Sequence, residues 1–150
     1  MAELMVVEIT AAETHPLRLA VLRHDTPTKI VEFAEDDLPG AFHLGVRDGG
    51  VLVATSTWVP RACPGETGTP AIQLRGMATA RHRQGGGIGG LLVEHGVERA
   101  FAGSAVVVWA RARDAALGFY ERHGFEVVGE GFVDDATQLP HHTIVRRRPR

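Results

Sequence analysis

Gln84-Gly85-Gly86-Gly87-Ile88-Gly89-Gly90 places five glycines in seven consecutive positions. Before it runs a strand-like segment, Ala71-Ile72-Gln73-Leu74-Arg75-Gly76-Met77-Ala78-Thr79, and after it a helix-like one, Leu91 to Phe101. Strand, glycine loop and helix together form an anion-binding arrangement. Residues without Cβ let the backbone approach a ligand closely and adopt positive φ. The first amides of a helix have no internal acceptor and lie at the positive end of the macrodipole, so phosphate oxygens suit that position. A glycine run can also be a flexible linker, but a linker would not be set between a strand and an amphipathic helix. The lysine-bearing phosphate loop requires Lys and then Ser or Thr after its last glycine; here Leu91 follows Gly90. The dinucleotide fingerprint G-x-G-x-x-G is met by Gly85, Gly87 and Gly90. It also needs an acidic residue about 20 positions further on, and the next strand, Val106-Val107-Val108-Trp109-Ala110, has none. The pattern that fits whole is Gln or Arg, two residues, Gly, one residue, then Gly or Ala, as Gln84, Gly87 and Gly89.

With these residues the chain resembles the GNAT family of acyl-CoA-dependent N-acetyltransferases, whose strand-and-loop signature commonly reads L-A-V-x-P-x-x-R-G-x-G-I-G. Met77 takes the Leu place, Thr79 the Val place and Gln84 the Arg place, while Ala78, Gly85, Gly87, Ile88 and Gly89 match directly. Arg81 stands where Pro is usual. A second element, A-x-x-F-Y-x-x-x-G-F, is matched by Ala116, Phe119-Tyr120 and Gly124-Phe125. One subgroup carries L-R-G-M-A-T, matched by Leu74 to Thr79. Its W-C-N-A-R is partly matched by Trp109 to Arg113, and its terminal I-P-H is similar to Leu139-Pro140-His141.

The resemblance implies an α+β fold with a mixed six- to seven-stranded sheet, flanked by helices and splayed between its central strands. It implies a single domain over residues 1–150, acetyl-CoA as co-substrate and direct transfer to a primary amine in a ternary complex. Backbone amides of Gln84, Gly85, Gly86, Gly87, Ile88, Gly89 and Gly90 would bind the pyrophosphate, and Met77, Ala78 and Thr79 would pair with the pantetheine arm. The Met77 amide would also face the thioester oxygen. Arg111 replaces an Asn that commonly holds the cofactor arm, and an arginine there could reach a phosphate. Tyr120 is the expected general acid to the leaving thiolate. His141 is the candidate base, since a histidine is neutral enough near pH 7 to accept a proton; a hydrogen-bonded structural histidine fits the position as well. Gln73 and Arg75 stand in the central strand where many relatives carry a carboxylate. Arg75 pointing into the acceptor pocket would favour an anionic acceptor, and a solvated Arg75 is the alternative. A non-catalytic CoA-binding or interaction module is the rival reading, and a nucleotide-dependent oxidoreductase a weaker one.

Size and composition set the remaining bounds. A chain of 150 residues suits one domain with a proper core. Its net charge of −2 gives no general pull toward nucleic acid or anionic membrane. Cys63 is the only cysteine, which suits a reducing cytoplasm. No apolar run approaches the ~20 residues that span a bilayer, and no secretory segment is read at the start. No two histidines share the i, i+4 spacing of a helical metal site, so no metal is expected. The expected partner is a small-molecule or peptide amine acceptor, with no nucleic acid and no membrane. A homodimer is suggested only by the family.

Along the chain, Leu4 to Ile9 reads as a strand, and Thr10 with Glu13 has capping-box spacing. The following helix carries Leu17, Leu19, Ala20, Val21 and Leu22, with Arg18 and Arg23 expected on its solvent face. Pro16 is tolerable only near a helix start, so the helix proper could begin there. Ile30 to Gly40 reads as irregular, forming one wall of the acceptor pocket. Ala41 to Val46 and Val51 to Val59 form a hairpin around Asp48-Gly49-Gly50. Ala71 to Thr79 is the central strand, with Gly76 marking a bulge or a close backbone approach. Ile88 to Phe101 is helical, Ser104 to Ala110 a buried strand and Asp114 to Arg122 a helix stopped by Gly124. Phe125 to Phe132 and His141 to Val145 are strands, and Arg146 to Arg150 reads as a frayed tail.

Overall fold

In the computed structural model, which describes residues 3–150, strand β1 (Leu4–Ile9) leads into helix α1 (Ala11–Leu17). The capping box forms: Glu13 N–H donates to Thr10 Oγ1 at 3.2 Å, and Thr10 N–H donates back to Glu13 Oε1 at 2.9 Å. The helix thus begins at its cap and not at Pro16, which sits inside it. Beyond Pro16 it widens into a π-turn over Arg18–Leu22, closed by Arg23 N–H on Arg18 O at 3.0 Å. Strands β2 (Phe42–Asp48) and β3 (Val51–Pro60) form the hairpin, with Gly49 and Gly50 at φ of 57° and 89°. Positive φ at both central residues is what a tight two-residue hairpin turn demands.

After β4 (Ala71–Thr79) come α2 (Ile88–Ala102), β5 (Val107–Arg113), α3 (Leu117–Arg122), β6 (Glu126–Val133) and β7 (Pro140–Arg147). All seven strands join one sheet in the order β1-β2-β3-β4-β5-β7-β6. Only the β4–β5 pair is parallel, and it has three residue pairs, Ala71 with Val107 to Gln73 with Trp109. Past Gln73 the strands part. β4 stays with β3, and β5 stays with β7 as far as Arg113 opposite His141. The expected splay is therefore present. The expected bulge lies on its rim: Thr57 pairs with Arg75 and Thr55 with Ala78, so Ser56 alone faces Gly76 and Met77.

Burial explains why these segments hold together. Trp58, Leu92, Val93, Val97, Val108 and Ile144 are all nearly or wholly buried between the sheet and α2. Each such side chain contributes about 1.5–3 kcal/mol on leaving water. α2 comes close to the sheet because Gly96 faces Trp58: an added Cβ would lie 1.8 Å from the Trp58 ring. Trp58 is itself fixed, parallel to the Phe42 ring at 5.9 Å and with Nε1–H donating to Ser56 Oγ at 2.8 Å.

Two expectations about arginines fail. Arg18 is fully buried, not solvent-facing. Its two terminal nitrogens donate to Asp36 at 2.8 Å each, and further to Val31 O at 2.7 Å and Thr57 Oγ1 at 2.6 Å. Leu19 is left 47% exposed, so the apolar pattern named the wrong face. The ion pair is made by Asp36, far along the chain, which no local periodicity can report. The C-terminal arginines are not all frayed either. Arg146 and Arg147 extend β7 opposite Val108 and Val107. Arg146 bonds Glu94 and His123 O, and Arg147 pairs with Glu66 through both terminal nitrogens.

Candidate active site

The glycine loop is built by strand β4 ending and helix α2 beginning. A short 3₁₀ turn, Arg81–Arg83, carries the chain out of β4, and Gln84 Nε2–H ties back to Thr79 O at 3.0 Å. Gly85 and Gly87 have φ of +83° and +85°, with nothing near the place a Cβ would occupy. Glycine is needed at these two for conformation. Gly89 and Gly90 are glycines for another reason. A Cβ on Gly89 would meet the Phe119 ring at 3.3 Å, and one on Gly90 would overlap the His123 ring at 2.7 Å. They let α3 pack across the start of α2.

Gly87 is the N-cap of α2 and offers no side chain to cap it. The first N–H with an intrahelical acceptor is that of Leu91, bonded to Gly87 O at 3.1 Å. The amides of Ile88, Gly89 and Gly90 therefore have no acceptor within the helix. They sit on a cleft of roughly 880 Å³ whose lining includes Thr79, Arg83, Gln84, Gly85, Gly87 and Arg122. Gly86 is exposed but does not line it. Ala78 and Ile88 turn their side chains into the core, which leaves their backbone as the part available to a ligand. The donor set fits a diphosphate through the orphan amides at a helix start, with Arg122 beside them; Arg83 is paired with Asp48, and Glu94 and Glu98 lie further along the same cleft.

A second cavity, of about 260 Å³, occupies the gap where β4 and β5 separate. Gln73 to Met77 line one side, Ala110 to Arg113 the other, and Phe33 and the end of the π-turn close it. The Ile30–Gly40 stretch, expected to be irregular, forms a 3₁₀ turn at Ala34–Asp37 and supplies one wall of this cavity through Phe33. Met77, Ala116 and Tyr120 line both this cavity and the glycine-loop cleft.

Tyr120 is buried, with Phe119 and Phe125 edge-on at 5.0 and 5.5 Å. Burial raises its pKa well above the ordinary phenol value, so it stays protonated at all ordinary pH. His141 lines the β4–β5 cavity and lies against the Phe132 ring at 5.9 Å. Its Nδ1 is 2.9 Å from Leu139 O. A carbonyl can only accept, so Nδ1 carries the proton and Nε2 is the basic nitrogen of the neutral ring. The neighbouring His142 bonds Asp114 instead, at 2.6 Å.

Arg111 lines the β4–β5 cavity, above the Trp109 ring at 5.5 Å, and is not among the residues of the glycine-loop cleft. Arg75 also lines the cavity and is paired with Glu35 at 2.7 Å. Burial raises the Glu35 carboxyl, but hydrogen bonds and Arg75 outweigh it and hold the pKa below the usual range. Arg23, Arg113 and Asp134 also line the cavity, in places that local sequence patterns do not announce. One signal was available: in Trp109-Ala110-Arg111-Ala112-Arg113 the arginines alternate with core alanines, so both lie on the face opposite the core. Cys63 is buried and its thiol pKa is raised, first by burial and then by Glu66, which leaves it a poor nucleophile. Among the described residues no cluster of His, Cys, Asp or Glu could hold a metal ion, and no helix is long and apolar enough to cross a membrane.

Comparison with known proteins agrees with this geometry. Residues 7–125 match the acetyltransferase (GNAT) family. A Bacillus subtilis protein described as the uncharacterized N-acetyltransferase YitI is 30% identical over 142 residues, covering 95% of this chain and 94% of its own. Among solved structures, Escherichia coli ElaA superposes with a TM-score of 0.77 at 18% identity, covering 98% of this chain and all of that one. An aminoglycoside 6'-N-acetyltransferase complexed with coenzyme A superposes at 0.75 with 15% identity, covering 97% and 98%. Those two likenesses speak to the fold. With the family's pattern running through four-fifths of its length and a near-full-length relative beside it, this chain belongs to the acetyltransferase (GNAT) family.

Proposed function

We propose that the protein transfers the acetyl group of acetyl-CoA directly to the primary amine of a small acceptor. The observation that supports this best is the sharing of Met77, Ala116 and Tyr120 between the glycine-loop cleft and the β4–β5 cavity. A cofactor arm leading from the first would end where an acceptor in the second begins.

When bound, acetyl-CoA supplies an activated acyl group on a thiol leaving group. The chain's own residues have these tasks. The free amides of Ile88 to Gly90 hold the pyrophosphate, with those of Gly85, Gly86 and Gly87 in the turn before them; the Gln84 N–H, expected to join them, donates to Arg81 O at 3.3 Å instead. The backbone of Met77, Ala78 and Thr79 extends along the open edge of β4 and pairs with the pantetheine amides. The Met77 N–H orients the thioester carbonyl and stabilises charge developing on its oxygen. Arg111, which lines the β4–β5 cavity and not the glycine-loop cleft, serves the thioester end of the arm and not the phosphates. As the acceptor nitrogen bonds to the carbonyl carbon and the C–S bond breaks, Tyr120 donates its proton toward the sulfur. His141 Nε2 takes the proton lost by the nitrogen.

Binding and turnover test the reading separately. Acetyl-CoA is expected to raise the melting temperature of the protein, because it binds the folded state alone. Gly87→Trp, which forces a large side chain onto a left-handed cap at the rim of the cleft, is expected to abolish that rise. Undiminished protection of the variant would remove the loop from the site. Protection without thiol release across a broad amine panel would leave a cofactor-binding module in place of an enzyme.

A further inference from the structure

The β4–β5 cavity carries more positive charge than its surroundings balance. Four arginines line it, Arg23, Arg75, Arg111 and Arg113, against one carboxylate, that of Asp134. Only Arg75 has an acidic partner among the described residues, Glu35. Arg23 and Arg113 both give an N–H to the same acceptor, the carbonyl oxygen of Leu22, at 3.4 and 2.7 Å. Two guanidinium groups thus meet at one neutral oxygen, and the Arg23 Nε–H goes to another, Ile30 O, at 3.1 Å. Burial, and next the charge of Arg113, lower the pKa of Arg23 although the Asp134 charge opposes them, as expected where like charges are held together out of water. The Asp134 carboxylate does not bridge them. Its Oδ2 accepts from the Thr137 N–H at 3.0 Å, within its own turn.

A helix end attracts cations, and one arginine on Leu22 O would need no other explanation. Two on the same oxygen, beside an open cavity that has Phe33 for a wall, form a fork that a single anion would satisfy bidentately. The cavity adjoins Tyr120, where the acceptor nitrogen has to arrive. Its volume, about 260 Å³, lies just below the usual range of roughly 300–1,000 Å³ for drug-sized ligands and so suits only a small acceptor.

We infer that the acceptor is a small amine carrying its own carboxylate, an amino acid or a compound of that build, whose carboxylate is held by Arg23 and Arg113. This deepens the acetyltransferase reading and rests on it. The same charge excludes polycationic acceptors. An aminoglycoside, or a lysine within a basic peptide, would bring ammonium groups against guanidiniums that outnumber the nearby carboxylates.

The test uses the intact protein and two readouts. Thiol release from acetyl-CoA is measured with free amino acids and with the matching amino acid amides, which keep the amine and lose the anion. Free acids are expected to be at least tenfold better in kcat/KM than their amides. Arg23→Gln and Arg113→Gln are each expected to raise KM for the acid about tenfold or more, with acetyl-CoA protection unchanged. Amides or aminoglycosides turned over as well as the acids would overturn the inference. Where no amine is turned over, melting temperature is read with saturating CoA and added N-acetyl amino acids or their amides, as product-like probes. Stabilisation by the acids alone, lost in both variants, supports the fork; equal or absent shifts reject it. Acetyl-CoA protection without added acceptor reports on the underlying reading, so the two failures are distinguishable.

Discussion

Replacing Gly96 by Ala tests whether close approach of α2 to the sheet holds the glycine-loop end of that helix in place. The added methyl would lie 1.8 Å from Trp58 Cζ2 and 2.2 Å from Cε2, where contacts between carbons settle at about 3.5–4.0 Å. Trp58 cannot yield cheaply: it is fully buried, parallel to Phe42 and bonded to Ser56. Overpacking of this kind costs about 1–3 kcal/mol. Losing the indole hydrogen bond adds about 1 kcal/mol, and the better helix propensity of alanine returns about 1 kcal/mol. The net is a loss of about 1–3 kcal/mol, or roughly 3–10 °C in melting temperature for a chain of this size. Gly118→Ala is the control. It is an exposed glycine in α3 whose Cβ would touch only the end of Arg122, at 3.6 Å, so stability should hold or rise by up to about 1 kcal/mol. Thermal unfolding followed by circular dichroism reads both. If α2 yields by tilting, Ile88 to Gly90 move with it, and acetyl-CoA affinity falls in Gly96→Ala as well. A melting temperature equal to or above that of the parent would refute the packing argument.

Tyr120→Phe is expected to lower kcat by about 10²–10⁴ while acetyl-CoA still protects the fold; unchanged turnover would place the proton elsewhere. Acid should unfold the protein partly through Asp36. Burial raises that carboxyl, but hydrogen bonds from Arg18 and the Phe33 N–H outweigh it and leave the pKa below its ordinary value. Its contribution is complete above the unfolded value near ~3.9 and is lost as pH falls through the depressed folded value. Asp36→Asn should therefore flatten the acid limb of a stability-against-pH curve, and an unaltered limb would assign acid unfolding to other groups. The amides of Gly76 to Thr79 that face the gap should exchange hydrogen quickly in the free protein and slow markedly with acetyl-CoA. Equal exchange in both states would count against arm pairing on β4.

Most of the architecture could be read from local patterns. β1, β4 and the hairpin glycines follow from alternation and turn chemistry, and the Thr10–Glu13 cap from spacing alone. The irregularity at Gly76 was legible because an isolated glycine inside a strand commonly marks a bulge or a close approach. What escaped depended on distant partners. Arg18 looks like a solvated residue until Asp36 and Thr57 are brought to it, and the strand role of Arg146 and Arg147 needs β5 alongside. In the loop, the five glycines look alike in sequence yet divide in space. Gly85 and Gly87 answer to backbone angle, Gly89 and Gly90 to the rings of Phe119 and His123. The cationic fork was hidden for the same reason. Arg23 and Arg113 meet only because a π-turn and the free end of β5 arrive at one carbonyl oxygen.

Three residue pairs join β4 to β5, while every other neighbouring pair of strands is knit along most of its length. Mechanically the molecule is two half-sheets clasped at one end, like the arms of a tweezer. Pulled apart in a single-molecule experiment by handles on β3 and β7, it should yield first at this clasp. A coenzyme lodged between the arms would then raise the rupture force by pinning them together.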